Sequence, residues 1–83
     1  MHDGEPEQLP EGVVAVSSPV TGSVWSLECE QGQTVAAGDP IMTVESMKTE
    51  FPVLAPASGR VLELRVAEGK MVRSGDVVAT VAP

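Results

Sequence analysis

Tyrosine is absent from this 83-residue chain, and one Trp, one Phe, one Cys and one His make up nearly all of its ring and thiol chemistry. The lone Cys29 cannot close an internal disulfide. With His2 as the only histidine, there is no Cys/His set to hold zinc and no base to activate a nucleophile. Basic residues are also scarce, five against twelve acids for a net charge of −7, which excludes the basic surface that tracks nucleic-acid phosphates. No apolar run approaches the ~20 residues that span a bilayer, so no membrane role is expected. The first dozen residues are acidic and carry Pro and Gly, unlike a signal or transit peptide, and a cytoplasmic location is expected. At 8.6 kDa the chain has room for one small domain.

Valine dominates what is present, at 14 of the 83 residues. Residues 1–12 hold Asp3, Glu5, Glu7 and Glu11 with Pro6 and Pro10, and read as a flexible acidic linker with too little apolar surface to offset the entropy of ordering. From Val13 to the end, short β-branched runs alternate with Gly, Pro and Asp, the all-β signal. This second segment, 13–83, is the expected folded domain. It carries eight acids against five bases, so the linker holds much of the net charge.

A gapless internal repeat organises the domain. Residues 16–45 align with 53–82 at an offset of 37. Eleven of the 30 pairs are identical, among them Pro19/Pro56, Gly22/Gly59, Val24/Val61, Leu27/Leu64, Gly32/Gly69, Gly38/Gly75 and Asp39/Asp76. Average residue usage would give about two. Matched glycines and Gly-Asp steps imply the same turns in both halves, with about four strands per half. One half alone buries almost nothing. The two copies are therefore expected to pack face to face about a quasi-two-fold axis as a flattened β-barrel or sandwich of two four-stranded antiparallel sheets.

The segment Ser46-Met47-Lys48-Thr49-Glu50-Phe51-Pro52 has no counterpart in the repeat, and function is expected there. With Met47 and Lys48 as the two turn residues of a tight hairpin, pairing runs Ser46 with Thr49, Glu45 with Glu50, Val44 with Phe51 and Met42 with Val53. Alternation then gathers Met42, Val44, Phe51 and Val53 on one face and sends Glu45 and Glu50 to the other. A shift of one residue would bury the glutamates. Two features oppose stability: Met and Lys stand where a two-residue hairpin prefers Asn-Gly, and two carboxylates face each other across the strands. Such local conflicts mark functional sites. Lys48 is also the only base in the first 50 residues.

Glu45-Ser46-Met47-Lys48-Thr49-Glu50, centred between two Gly-rich β halves, resembles the biotinyl domain of biotin-dependent carboxylases, whose pattern is Glu-Ala-Met-Lys-Met. The resemblance spans residues 13–83 and includes Pro19 to Gly22, Pro56 to Gly59 and the two Gly-Asp steps. It implies a barrel-sandwich hybrid fold, biotin linked covalently to Lys48 at the hairpin tip, and Met47 as the residue a biotin protein ligase recognises. Glu45, Ser46, Thr49 and Glu50 flank the site. Ser46 replaces the family's Ala and Thr49 its second Met. The family's domain is not catalytic alone: it carries a carboxyl group from a biotin carboxylase site to a carboxyltransferase site. A lysine amine is almost wholly protonated at neutral pH, so the ligase has to desolvate and deprotonate it. The gapless repeat leaves no room for the thumb insertion of some bacterial carriers, which points to a multidomain carboxylase. Val24-Trp25 and the Glu-Ser-Met-Lys spelling look most like the urea carboxylase or urea amidolyase branch.

Two alternatives share the scaffold. A lipoyl-type carrier usually has Asp before its lysine, where this chain has Met47. An unmodified interaction module would leave Lys48 incidental. Of the remaining residues, Trp25 reads as a partly exposed packing residue and Cys29 as structural. Arg60, Arg65, Lys70 and Arg73 read as a solvated basic stretch, and the isolated domain is expected to be monomeric.

Overall fold

The structure, a computed structural model, describes residues 9–83. The expected flexibility of the linker concerns mainly residues 1–8, which lie outside the described residues. At its end, Val13 N–H donates to the Pro10 carbonyl at 3.0 Å, and Gly12 takes φ 85°. Eight strands follow: β1 (Val14–Ser17), β2 (Gly22–Leu27), β3 (Thr34–Val35), β4 (Pro40–Ser46), β5 (Thr49–Leu54), β6 (Gly59–Leu64), β7 (Met71–Val72) and β8 (Val77–Ala82). They form two four-stranded antiparallel sheets, ordered β1-β8-β6-β3 and β5-β4-β2-β7, in a flattened body of 37 × 33 × 17 Å.

The strand orders refine the expected packing of the halves. Advancing each strand by four turns the first order into the second, the quasi-two-fold symmetry that the repeat implies. The layers, however, are not the two halves. Each half places its second and fourth strands in one sheet and its first and third in the other, so the copies interlock. In each sheet a central pair from one half, β8-β6 or β4-β2, is flanked by the first and third strands of the other, which leaves less unpaired backbone than two separate half-sheets would.

The symmetry extends to single hydrogen bonds. Gly32 N–H donates to the Val61 carbonyl at 2.7 Å, and its mate Gly69 N–H to the Val24 carbonyl at 2.8 Å. Asp39 Oδ2 accepts from Ala36 N–H at 2.9 Å, and Asp76 Oδ2 from Arg73 N–H at 2.8 Å, which is why Asp follows Gly in both copies. Gly38 and Gly75 both take φ 92°, where a Cβ would be strained.

Register shifts also occur in matched pairs. One falls between Val24 and Ser26 and its mate between Val61 and Glu63, so Trp25 and Leu62 are the extra residues. This resets the alternation, and lets the apolar faces of both copies run Val24 to Leu27 and Val61 to Leu64 at a spacing of three. Trp25 stands 57% exposed. Shifts at Pro40/Met42 and Val16/Ser17 likewise let Ile41 with Met42, and Val78 with Ala79, be buried side by side. Between the sheets lies a core of Val16, Val24, Val35, Ile41, Met42, Val44, Val53, Val61, Val72, Val78 and Val81. Each fully buried valine contributes about 1.5–3 kcal/mol, so this thin core is supplied mainly by number.

Candidate functional site

The strands β4 and β5 form a hairpin whose pairs are Ser46 with Thr49, Glu45 with Glu50, Val44 with Phe51, Thr43 with Pro52 and Met42 with Val53. This is the register that alternation requires. Met42, Val44 and Val53 are buried and Phe51 is half-buried on the core side, whereas Glu45 is half-buried and Glu50 exposed on the other. Apolar burial beneath the hairpin thus fixes which residues become the tip.

The tip residues are Met47 at φ 52° and Lys48 at φ 64°. Two successive left-handed residues make a type I′ turn, whose twist matches that of the flanking strands. For residues with a side chain this backbone costs about 1–2 kcal/mol each. Among the described residues these are the only two non-glycine positions with positive φ. Met47 is 94% exposed and Lys48 is exposed, and no described hydrogen bond or ion pair engages the Lys48 ammonium.

Gly22 holds the base of the hairpin. A Cβ there would collide with the Glu45 carbonyl oxygen and press on Ser46 Cβ. Ser23 of β2 pairs with Glu45, so β2 holds the end of β4 just before the tip. The mate Gly59 makes the same approach to the Ala82 carbonyl at the opposite end of the body, where β1 and β8 pair. The repeat marked both glycines, but their role as backbone contacts, one of them under the site, required the sheet pairing.

The structure brings Glu45, Ser46, Met47, Lys48, Thr49 and Glu50 together on one hairpin end. Cys29 lies elsewhere, buried, its thiol 3.6 Å from the Ile41 carbonyl. Burial pushes that thiol above its ordinary value, aided by the nearby Glu28 carboxylate. Arg65 pairs with Glu63 at 3.1 Å. No set of metal-ligating side chains occurs among the described residues, and no described helix is long and apolar enough to cross a membrane. What the tip offers chemically is a primary amine in water, carried by a two-residue turn and free of internal partners. That suits amide formation with a carboxylic acid cofactor.

A family model described as "Biotin-requiring enzyme" matches residues 12–81. The chain belongs to this family. As a biotinyl domain of the biotin-dependent carboxylase kind, it has biotin as its cofactor. It is 34% identical to the urea carboxylase of Kluyveromyces lactis, whose crystal structure superposes over 99% of this chain and 7% of that one with a TM-score of 0.85. A single-chain, multi-domain long-chain acyl-CoA carboxylase superposes with a TM-score of 0.81 at 24% identity, over 94% of this chain and 8% of that one, a likeness of fold. The biotin-dependent acyl-coenzyme A carboxylase alpha3 subunit of Mycobacterium leprae (strain TN) is 44% identical over 41 residues, covering 49% of this chain and 7% of that protein. The biotinyl domain therefore spans less than a tenth of these relatives.

Proposed function

We propose that Lys48 is the residue to which biotin is attached, and that the domain carries a carboxyl group between two active sites of a larger carboxylase. The observation that carries this reading is the left-handed Met47-Lys48 turn, which keeps a strained backbone and an unpaired amine in the segment that joins the two copies of the repeat. A ligase strips water and a proton from the Lys48 ammonium. The neutral amine then attacks the acyl carbon of a biotinyl-adenylate, forming the amide as the acyl–phosphate bond breaks, AMP leaves and the nitrogen gives up a second proton. When bound, biotin supplies a ring nitrogen that holds the carboxyl group. The chain's own residues supply position: β4 and β5 hold the tip, Gly22 lets β2 brace it, and Met47 offers the ligase an apolar handle. Glu45, Ser46, Thr49 and Glu50 frame it.

In this reading the domain does no catalysis alone and works as a monomer inside its parent, with biotin carboxylase and carboxyltransferase domains as partners in the cytoplasm. Residues 1–12 serve as part of a tether that raises the local concentration of the tip at both sites. The identity shared with the Kluyveromyces lactis enzyme across nearly the whole chain supports a parent of the urea carboxylase kind.

Co-expression with a biotin protein ligase, followed by intact mass, tests the site. One biotin is expected on the wild type and none on Lys48→Ala; an unmodified wild type overturns the reading. The loaded domain, given to a urea carboxylase lacking its own biotinyl domain, is expected to restore urea-dependent ATP hydrolysis. Restoration only with an acyl-CoA carboxylase would reject the assigned parent.

A further inference from the structure

Stability gives no reason for methionine at position 47. The side chain is 94% exposed, packs on nothing in the core, and occupies a left-handed position that Asn fills at lower cost. A fully solvated, unbranched apolar side chain beside the only unpaired amine of the tip is suited to entering a partner's apolar pocket. Its thioether is also unshielded from small oxidants. The described methionines are graded sharply: Met47 at 94%, Met71 at 70% and Met42 at 0% exposure.

We propose that Met47 is an oxidation site through which peroxide stops the loading of Lys48, an inference that rests on Lys48 being the biotin attachment residue. A sulfur lone pair of Met47 attacks one peroxide oxygen and the O–O bond breaks; the other oxygen leaves as hydroxide, takes the proton of the transferred O–H and departs as water. Sulfur is oxidised by two electrons and the peroxide reduced by two. The product sulfoxide is polar, chiral and a strong hydrogen-bond acceptor. An apolar pocket that takes the thioether would have to desolvate that acceptor without a partner. Loading then falls although the fold is untouched, because Met42, the methionine in the core beneath the same hairpin, is shielded. Met71 supplies an internal comparison. It oxidises as well, but lies on β7 at the edge of the sheet farthest from β5, opposite Ser23. Sulfoxide reductases reverse the change, so the device is a switch rather than damage.

The test treats the full unmodified chain with dilute hydrogen peroxide, locates added oxygen by peptide mass, and times biotin incorporation by purified ligase with ATP. Oxygen is expected on Met47 and Met71 and not on Met42, with loading slowed about tenfold or more. Met71→Leu should remain peroxide-sensitive. Met47→Leu, whatever its own starting rate, should lose nothing further on treatment, and methionine sulfoxide reductase should restore the oxidised wild type. Unchanged loading after complete Met47 oxidation overturns the inference while leaving Lys48 as the site. Equal slowing of treated Met47→Leu also overturns it. If untreated chain takes up no biotin, the Lys48 reading fails and the inference with it.

Discussion

At single residues, position decides what ordinary side chains do. Met47 and Lys48 are everyday surface residues in composition, yet a shared left-handed backbone makes them the tip of the molecule. Cys29 is the opposite case, a reactive group made inert. Its thiol is buried against the Ile41 carbonyl, and burial first, with the Glu28 charge second, holds its proton on. Because the folded-state value is raised, the folded chain binds this proton more tightly than the unfolded chain. The linked stability is present below the ordinary thiol range, near ~8.5, and is lost as pH climbs through the raised value. Ellman's reagent at pH ~8 should therefore react slowly with native protein and quickly in guanidinium. A rapid native reaction would show Cys29 to be accessible.

Among the elements, the β4–β5 hairpin is the one most fully legible in the sequence. Its register follows from four apolar residues that must share a face, and the fold pairs Val44 with Phe51 and Met42 with Val53 accordingly. The matched bulges at Trp25 and Leu62 are less legible, because a spacing of three between apolar residues is compatible with a bulge, a turn or a loop. At Gly22 the backbone of β2 runs so close to the Glu45 carbonyl that no Cβ fits between them. Gly22→Ala and Gly59→Ala should each destabilise the fold by about 1–3 kcal/mol, since each adds a carbon against a rigid backbone. Denaturant midpoints measure that cost. Of the two, only Gly22→Ala should also slow Lys48 loading in the folded protein, because Gly59 braces the other end. Equal effects on loading would remove Gly22 from its role under the tip.

For the whole molecule, interlocking has an energetic consequence. Both sheets need strands from both halves, so neither half can form a sheet of its own order. A fragment of residues 9–47 should be unfolded by circular dichroism, as should one of residues 48–83, while an equimolar mixture should regain strand signal through β1–β8 and β2–β7 pairing. A folded single fragment would contradict the interlock. The same arrangement spreads a thin Val-rich core across the full width of the body and leaves the Lys48 tip at one end, with the paired β1 and β8 ends at the other.

Local chemistry and period by themselves determined the all-β class, the four strands per half, the glycine turns, the hairpin register and Lys48 as the exposed amine. Each depends on backbone stereochemistry or side-chain alternation within a few residues, and the repeat supplied a second copy of nearly every signal. Only the tertiary structure decided that the halves exchange strands, that Gly22 supports the hairpin, and that Trp25 and Leu62 are bulge mates. Those facts depend on which strands become neighbours, and pairing between distant segments follows from the burial and edge closure of the whole chain.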